Sequence, residues 1–197
     1  MIQETNKEKK VNMPRTLVKE SAEKIGEKIR INGWIGARRD HGKIIFIDLK
    51  DISGALQVVF IPKDKELYKM AESLGLEFAV SIEGQINQRP EKMVNDKIST
   101  GKIEMLAEKL EILNKSEILP FELDADKVPN EEIRLKYPYI DLRREKKREN
   151  ILFRGQAIRF MREYFWNKVF TEIETPLLTK STPEGARDFI VPSRLKP

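Results

Sequence analysis

The apolar residues of this chain alternate, change to a helical period and then alternate again, and this order limits the possible folds more than any other feature. Three alternating runs come first, at 28–35, 43–49 and 55–60. Side chains that recur at every second position lie on one face of a strand. The runs therefore predict three consecutive antiparallel strands, with Ser53-Gly54 in the second turn.

A helical period replaces the alternation at 64–74, where apolar residues recur three and four positions apart. Alternation then returns twice, at 78–89 and at 103–113. Three strands, a helix and two further strands are, in this order, typical of an OB-fold, a small five-stranded Greek-key barrel. We therefore predict an OB-fold over residues 28–115.

Two polar segments flank the predicted barrel. Residues 1–27 are polar and lysine-rich, so we predict a mobile N-terminal arm with one short helical turn. Residues 116–140 contain Pro120, Pro129 and Pro138 among acidic and polar residues, with too few apolar positions for a core. We predict that this second segment is a hinge between two domains.

A long helical pattern dominates the last part of the chain. Apolar residues cover two sides of the predicted helix at 144–170, and a strand-like stretch follows at 171–178. A helix that is apolar on two sides has to be buried by other elements. Only the short strand-like stretch 171–178 follows it in this sequence. Residues 141–197 therefore predict the beginning of a second domain that is incomplete in this sequence.

Composition excludes several classes of function. The chain has no cysteine and one histidine, which excludes disulfides, thiolate zinc sites, cysteine nucleophiles and histidine pairs for a metal. No run approaches the roughly 18–20 apolar residues of a membrane-spanning helix, and residues 1–12 are too polar for a signal peptide. We therefore predict a cytoplasmic protein that does not enter a membrane.

Positive charge is concentrated in one segment. Lys and Arg outnumber Asp and Glu by 37 to 32, and residues 141–170 alone hold nine basic against four acidic residues. This excess permits a polyanionic partner without demonstrating one, because basic residues are also common on a solvated helix.

The predicted strands direct outward a set of side chains that suit unpaired nucleic acid. This set combines aromatic, amide and guanidinium groups: Trp34, Phe46, Gln57, Arg38, Arg39 and Arg89. Aromatic rings stack on splayed bases, and arginines bind phosphates. Either aromatic ring alone is equally compatible with packing under a loop. The combination of Phe46, Gln57 and Arg39 favours nucleic-acid binding.

Three polar side chains could read bases. Gln57 donates and accepts at one base edge, so it could select a base on which Phe46 stacks. Glu104 is by default a solvated carboxylate, although it could accept from a base amine. His41 lies in the predicted turn at 40–43. It could be exposed without a function, or it could contact a nucleotide. Metal binding is not expected for it.

Near its end the chain carries Thr182-Pro183-Glu184-Gly185-Ala186-Arg187-Asp188, after the helix and Pro176. This segment closely resembles the first conserved block of bacterial aspartyl-tRNA synthetases, which are class II aminoacyl-tRNA synthetases. The resemblance extends over nearly the whole chain through shorter motifs: Gly33-Trp34, Arg38-Arg39-Asp40, Phe46-Ile47-Asp48, Gln57-Val58, Thr100 to Glu104, Arg134 to Tyr137 and Asp141 to Arg144.

The resemblance implies an activity and a fold. The family activates L-aspartate with ATP and Mg²⁺ to aspartyl-adenylate and transfers the aspartyl group to its tRNA. The fold expected is a β-barrel plus an α/β part, that is, a five-stranded OB-fold followed by the start of a class II antiparallel-sheet catalytic domain. The complete enzyme is expected to be a homodimer.

The resemblance also implies roles for particular residues. In the barrel, Phe46 would stack on the central uridine of the anticodon and Gln57 would bond its edge. Arg39 and Arg89 would hold backbone or bases, and Glu104 would face the first anticodon base. In the second domain, Pro176 would be the proline of the dimer motif, and Glu184 would bind the α-ammonium group of aspartate, as its charge allows.

Two departures from the family pattern are visible. Val169 stands where the family commonly has a glycine before Phe170, which alters a turn. The sequence also ends at Pro197, before the ATP-binding, aspartate-selecting and magnesium-binding residues of the family. We therefore expect an N-terminal portion of the enzyme that is inactive alone, and we name no catalytic or metal residue in it. The alternative is a free-standing OB-fold RNA-binding module without catalysis.

The sequence contains indications both for and against the charging of two different tRNAs. His41, together with Arg89-Pro90-Glu91, resembles family members that charge both tRNA(Asp) and tRNA(Asn). Lys92 stands where such enzymes often have a smaller residue, and this favours tRNA(Asp) alone. The sequence favours the relaxed specificity weakly, and both alternatives stay open.

Overall fold

In a computed structural model of the chain, the residues described are 13–96, 98–123, 128–178, 189 and 191–195. The chain divides into two compact units, Met1–Pro120 and Phe121–Pro197, and each is described by itself. None of the helices in these described residues has the length and hydropathy that a membrane span requires.

The first unit is a closed barrel of five strands. They are β1 (Lys28–His41), β2 (Ile44–Asp51), β3 (Gly54–Phe60), β4 (Ala79–Gln88) and β5 (Ile103–Asn114). The strands follow the order β1-β2-β3-β5-β4, and β1 closes the barrel by pairing with β4. Every pair is antiparallel except β3 with β5, which is parallel. This arrangement confirms the predicted OB-fold.

The barrel interior is filled from alternate positions of each strand, as the period of two predicts. Side chains from all five strands are fully buried there, among them Ile31, Ile47, Leu56, Val58, Ile82 and Met105. Phe78, which begins the alternating run at 78–89, precedes β4, is only partly buried and packs against this core. The alternation therefore assigns these inward side chains correctly.

Strand β1 is longer than the predicted 28–35. It continues to His41 through a bulge between Ile35 and Ala37, and it stays paired with β2 up to the tight turn at Gly42. Gly42 has a φ of 63°, a conformation that glycine adopts without strain. Arg38 and Arg39 consequently lie within the strand and not at its exit, and His41 is its last residue and not part of a turn.

Helix α1 (Lys65–Glu72) connects β3 to β4, as the helical period predicted. It begins at Asp64, whose side chain accepts hydrogen bonds from the backbone N–H groups of Glu66 and Leu67. A carboxylate at this position satisfies donors that have no partner inside the helix.

The N-terminal segment contains the predicted helical turn, a 3-10 helix at Val18–Glu23, but the prediction of a mobile arm is wrong for it. Val18 is completely buried in the barrel core, and its backbone N–H donates to Asp51 Oδ2 at 3.0 Å. The next N–H, of Lys19, donates to Ser53 Oγ at 3.0 Å. One apolar side chain and two hydrogen bonds to the β2–β3 turn thus hold this segment against the barrel.

The second unit contains helices α2 (Glu131–Lys136), α3 (Pro138–Asp141) and α4 (Glu145–Asn167). The predicted hinge is therefore partly helical, because Asn130 caps α2 and Pro138 starts α3. Helix α4 matches the predicted long helix, and none of its residues is buried. The stretch 171–178 is not a strand as predicted, because a strand needs a neighbouring strand to receive its backbone hydrogen bonds.

Helix α4 ends in a Schellman motif. The N–H of Phe170 donates to the carbonyl of Phe165 at 3.0 Å, and the N–H of Val169 donates to that of Trp166 at 2.9 Å. The rings of Phe165 and Phe170 meet edge to face at 5.5 Å. Val169 has a φ of 66°, the left-handed conformation in which this motif usually has glycine. The departure noted in the sequence therefore falls on a strained position.

Candidate nucleic-acid interface

The outer face of the barrel carries Phe46 and Asp48 on β2, because they alternate with the buried Ile45 and Ile47. Arg39 lies opposite Phe46 in the β1–β2 pairing. Its Nη1 and Nη2 atoms donate to the two carboxylate oxygens of Asp48, both at 2.7 Å. This hydrogen-bonded pair raises the pKa of Arg39 above its ordinary value, although partial burial opposes the shift. Arg39 is therefore a fixed cation beside an aromatic ring.

Gln57 and Glu104 continue this face across β3 and β5. Gln57 lies directly opposite Asp48 in the β2–β3 pairing. Its Nε2 atom donates to Glu104 Oε2 at 3.0 Å. Because a carboxylate only accepts, this bond fixes which side of the Gln57 amide is nitrogen and which is oxygen. The amide that was predicted to read a base is therefore oriented by its neighbour.

Arg89 follows β4 and supports Glu104 from the other side. Its Nε lies 3.5 Å from Glu104 Oε2, and its Nη1 donates to the carbonyl of Met93 at 3.3 Å. Only 6% of Arg89 is exposed. Burial lowers the pKa of Arg89, and the carboxylates of Glu104 and Asp48 oppose this shift. Arg89 is thus a buried cation in ionic contact with Glu104, while its direct contact with RNA stays a prediction.

These five side chains form a row across the barrel, which we call the polar row. It has an arginine at each end, a carboxylate next to each arginine and an amide in the middle, in the order Arg39, Asp48, Gln57, Glu104 and Arg89. Phe46, half-buried, lies beside the start of this row. His41 is exposed and meets the Phe46 ring edge to face, with 5.8 Å between ring centroids. An aromatic platform, a base-edge amide and charged groups thus share one surface, as a site for unpaired bases requires.

Two side chains predicted for this face lie elsewhere. Trp34 is 40% exposed and pairs with Lys50, four residues along β2 from Phe46, which is about 13 Å of strand. Arg38 donates from Nη1 to the carbonyls of Glu72 and Leu74, at 2.6 and 3.1 Å, and so binds the end of α1. Neither residue belongs to the polar row.

Lys92, Pro176 and Glu184 are the remaining predicted site residues. Lys92 is exposed in a 3-10 turn at Glu91–Met93. Pro176 is exposed in the non-helical segment after α4. Glu184 lies outside the described residues. In the part of the chain that is described, no three His, Cys, Asp or Glu side chains are grouped so that they could hold a metal ion.

Asp48 was not among the predicted site residues. It lies two positions after Phe46, so the alternation that turned Phe46 outward applies to Asp48 as well. Its negative charge is also opposite to the positive charge of Arg39. Both signals were present in the sequence, and they identify Asp48 as part of the same surface.

Comparison with known families supports both units separately. Residues 29–113 match the family described as OB-fold nucleic acid binding domain. Residues 130–197 match the family described as tRNA synthetases class II (D, K and N). The aspartyl tRNA synthetase of Entamoeba histolytica has the same fold, with a TM-score of 0.78 at 18% identity, over 89% of this chain and 42% of that chain.

Curated relatives are similar at a much higher level of identity. The aspartate–tRNA(Asp/Asn) ligase of Rubrobacter xylanophilus is 51% identical over 89% of this chain and 29% of its own length. The ligase of the same name from Dictyoglomus turgidum is 51% identical over 90% of this chain and 30% of its own length. The chain thus spans less than a third of these relatives. In both units the chain is therefore similar to the N-terminal part of class II aspartyl-tRNA synthetases.

Proposed function

We propose that this chain is the tRNA-recognition part of an aspartate–tRNA(Asp/Asn) ligase, which activates L-aspartate with ATP and transfers it to tRNA. The observation that carries the proposal is the placement of Phe46 beside Arg39 and the oriented amide of Gln57 on one barrel face. The names of the relatives from Rubrobacter xylanophilus and Dictyoglomus turgidum support the same activity.

The face suits a central uridine in the anticodon. A base that stacks on Phe46 brings its edge toward Gln57, whose amide nitrogen is directed to Glu104 and whose oxygen points away. That oxygen accepts from the N3–H of uridine. Cytidine has an acceptor at N3, so two acceptors would face each other. Glu104 would accept from the amine of the first anticodon base.

Relaxed choice between the two tRNAs is part of the proposal. His41 is exposed and lies against the edge of the Phe46 ring, so a base next to the stacked one is within its reach. A neutral imidazole both donates and accepts hydrogen bonds and therefore tolerates more than one base. Lys92, exposed in its own turn, is the indication against this part of the proposal, because it favours tRNA(Asp) alone.

The rest of the enzyme is proposed from the similarity to this family. Glu184 would bind the ammonium group of aspartate, and Pro176 would belong to a homodimer interface that covers α4. The described residues supply no group of side chains for Mg²⁺, so we derive no step through the ion or ATP. The protein would work in the cytoplasm, where translation takes place.

The test is the affinity of the 197-residue chain for an RNA stem-loop that carries the aspartate anticodon. Stacking on an aromatic side chain contributes about 1–3 kcal/mol per base, so Phe46→Ala should weaken binding about tenfold or more. Trp34→Ala is the matched control, because it removes an exposed aromatic side chain outside the polar row. A folded Phe46→Ala protein with an unchanged Kd, or an equal loss in both variants, would contradict the proposal.

A further inference from the structure

Arg39 and Asp48 interact end to end. The two terminal nitrogens of the guanidinium group donate to the two oxygens of one carboxylate, each at 2.7 Å. The side chains remain 44% and 27% exposed, so both are within reach of a bound RNA. This geometry occupies the same end of the guanidinium fork that arginine uses to bind a phosphate with two hydrogen bonds.

We propose that Asp48 is a positioning residue for anticodon recognition, which keeps Arg39 from binding phosphates and makes its flat guanidinium group a stacking surface for a base. The inference rests on the proposed function, because it assigns a specificity role within the same site.

The placement of Arg39 supports this role. Arg39 is opposite Phe46 on the neighbouring strand, and paired strands lie about 5 Å apart. A base stacked on the ring therefore has its neighbour next to the guanidinium plane, on which bases stack as they do on aromatic rings. Nε and the outer N–H groups of Arg39 stay directed to the side, where a base edge can accept from them.

The charge of Asp48 has a second effect. A carboxylate beside Arg39 neutralises the guanidinium charge and repels the phosphates of any RNA that approaches. Phosphate contacts hold a protein on its nucleic acid without reading sequence, whereas base contacts carry the sequence information. Asp48 thus lowers the affinity for every RNA and leaves a larger share of the binding to Phe46 and Gln57.

The experiment compares the wild-type chain with Asp48→Asn at several salt concentrations. The probes are two RNA stem-loops, one with the aspartate anticodon and one with its central uridine changed to cytidine. Releasing Arg39 should add about one phosphate contact, so the slope of log K against log salt should steepen by about 0.7–0.9. Affinity would then fall about threefold further between about 50 mM and about 200 mM salt. The preference for the uridine loop should also decrease.

Four further variants make the test specific. Asp40→Asn removes an equal charge from the ion pair with Arg38 and should leave slope and preference unchanged. Adding Arg39→Ala to Asp48→Asn should abolish the added slope. Arg39→Lys keeps the charge but not the flat surface, so it should bind the uridine loop as weakly as Arg39→Ala. The comparison of Arg39→Lys with Arg39→Ala tests the inference without any change at Asp48.

The outcomes separate the inference from the proposed function. A wild-type chain that does not prefer the uridine loop overturns both. A wild type that prefers it, with Asp48→Asn indistinguishable from Asp40→Asn, overturns the inference and leaves the proposed function standing. Full binding by Arg39→Lys likewise overturns the inference, because it shows that charge alone is what Arg39 supplies.

Discussion

Arg38 and Arg39 are consecutive residues of β1, yet their guanidinium groups serve different parts of the molecule. Arg38 lies opposite the buried Ile47 and reaches the carbonyls of Glu72 and Leu74 at the end of α1. Arg39 lies opposite Phe46 and binds Asp48 on the outer face. The alternation of the strand alone separates the two roles.

Substituting each arginine by alanine should therefore give opposite results. Arg38→Ala leaves carbonyls of α1 without their donor, so it should lower the free energy of unfolding by about 1–3 kcal/mol. Arg39→Ala should weaken binding of the anticodon stem-loop with little effect on stability. Urea unfolding and RNA titration of both variants check this prediction. A loss of stability shared by both variants, with equal RNA affinity, would show that the two side chains are equivalent.

His41→Leu should change the choice of tRNA. The chain is completed with the remaining part of a relative, such as the Rubrobacter xylanophilus ligase, and aspartylation of tRNA(Asp) and tRNA(Asn) is compared. We expect the wild type to charge both and His41→Leu to change the ratio, because leucine forms no hydrogen bond with a base. Lys43→Ala, which removes an exposed charge from the turn that follows His41, should change both rates together. A wild type that ignores tRNA(Asn), or an unchanged ratio, contradicts the prediction.

Val169→Gly should stabilise the end of α4. A β-branched residue in the left-handed conformation is strained by about 1–2 kcal/mol, and glycine removes this strain at some cost in chain entropy. A net gain of about 1 kcal/mol corresponds to about fivefold slower hydrogen exchange at the amides of Val169 and Phe170. Lys168→Gly is the control, because Lys168 has a negative φ and should gain nothing. Faster exchange in Val169→Gly would show that the valine side chain contributes more than its strain costs.

Asp51→Asn should release the N-terminal 3-10 helix. The carboxylate accepts from the N–H of Val18 and from both the N–H and the hydroxyl of Ser53, and an amide cannot accept at both of its ends. We expect a loss of about 1–3 kcal/mol in stability and faster tryptic cleavage after Lys19. Glu23→Gln, an exposed change on the same helix, should have neither effect. Equal cleavage rates in the two variants would mean that Val18 alone holds the segment.

The barrel could be predicted from the sequence because a period of two is a local property. Ile31, Ile47 and Val58 are inward whichever strand lies beside them, since the face of a residue depends on its neighbours along the chain. The positions of Phe46 and Gln57 on the outer face follow from the same parity. This is why the placement of Phe46 and Gln57 on one face could be predicted, while their contacts with RNA stay a prediction.

Contacts between distant segments could not be predicted in this way. Arg38 finds its partner 34 positions later, and Val18 is one apolar residue in a polar segment without any period. Arg89 looked like a surface residue at a strand end, but its burial depends on the loop that reaches Met93. The stretch 171–178 has the residues of a strand, whereas forming one requires a partner strand.

The parallel pairing of β3 with β5 has a consequence for the opening motions of the barrel. Among the described residues it consists of two paired positions, Val58 with Met105 and Val59 with Leu106, and it joins segments that are far apart in sequence. We expect such a seam to open before the longer antiparallel ladders do. Gln57 and Glu104 meet across this same seam, so an RNA that engages both would hold its two sides together. RNA binding at this site should therefore slow the deuterium uptake of the backbone amides along β3 and β5.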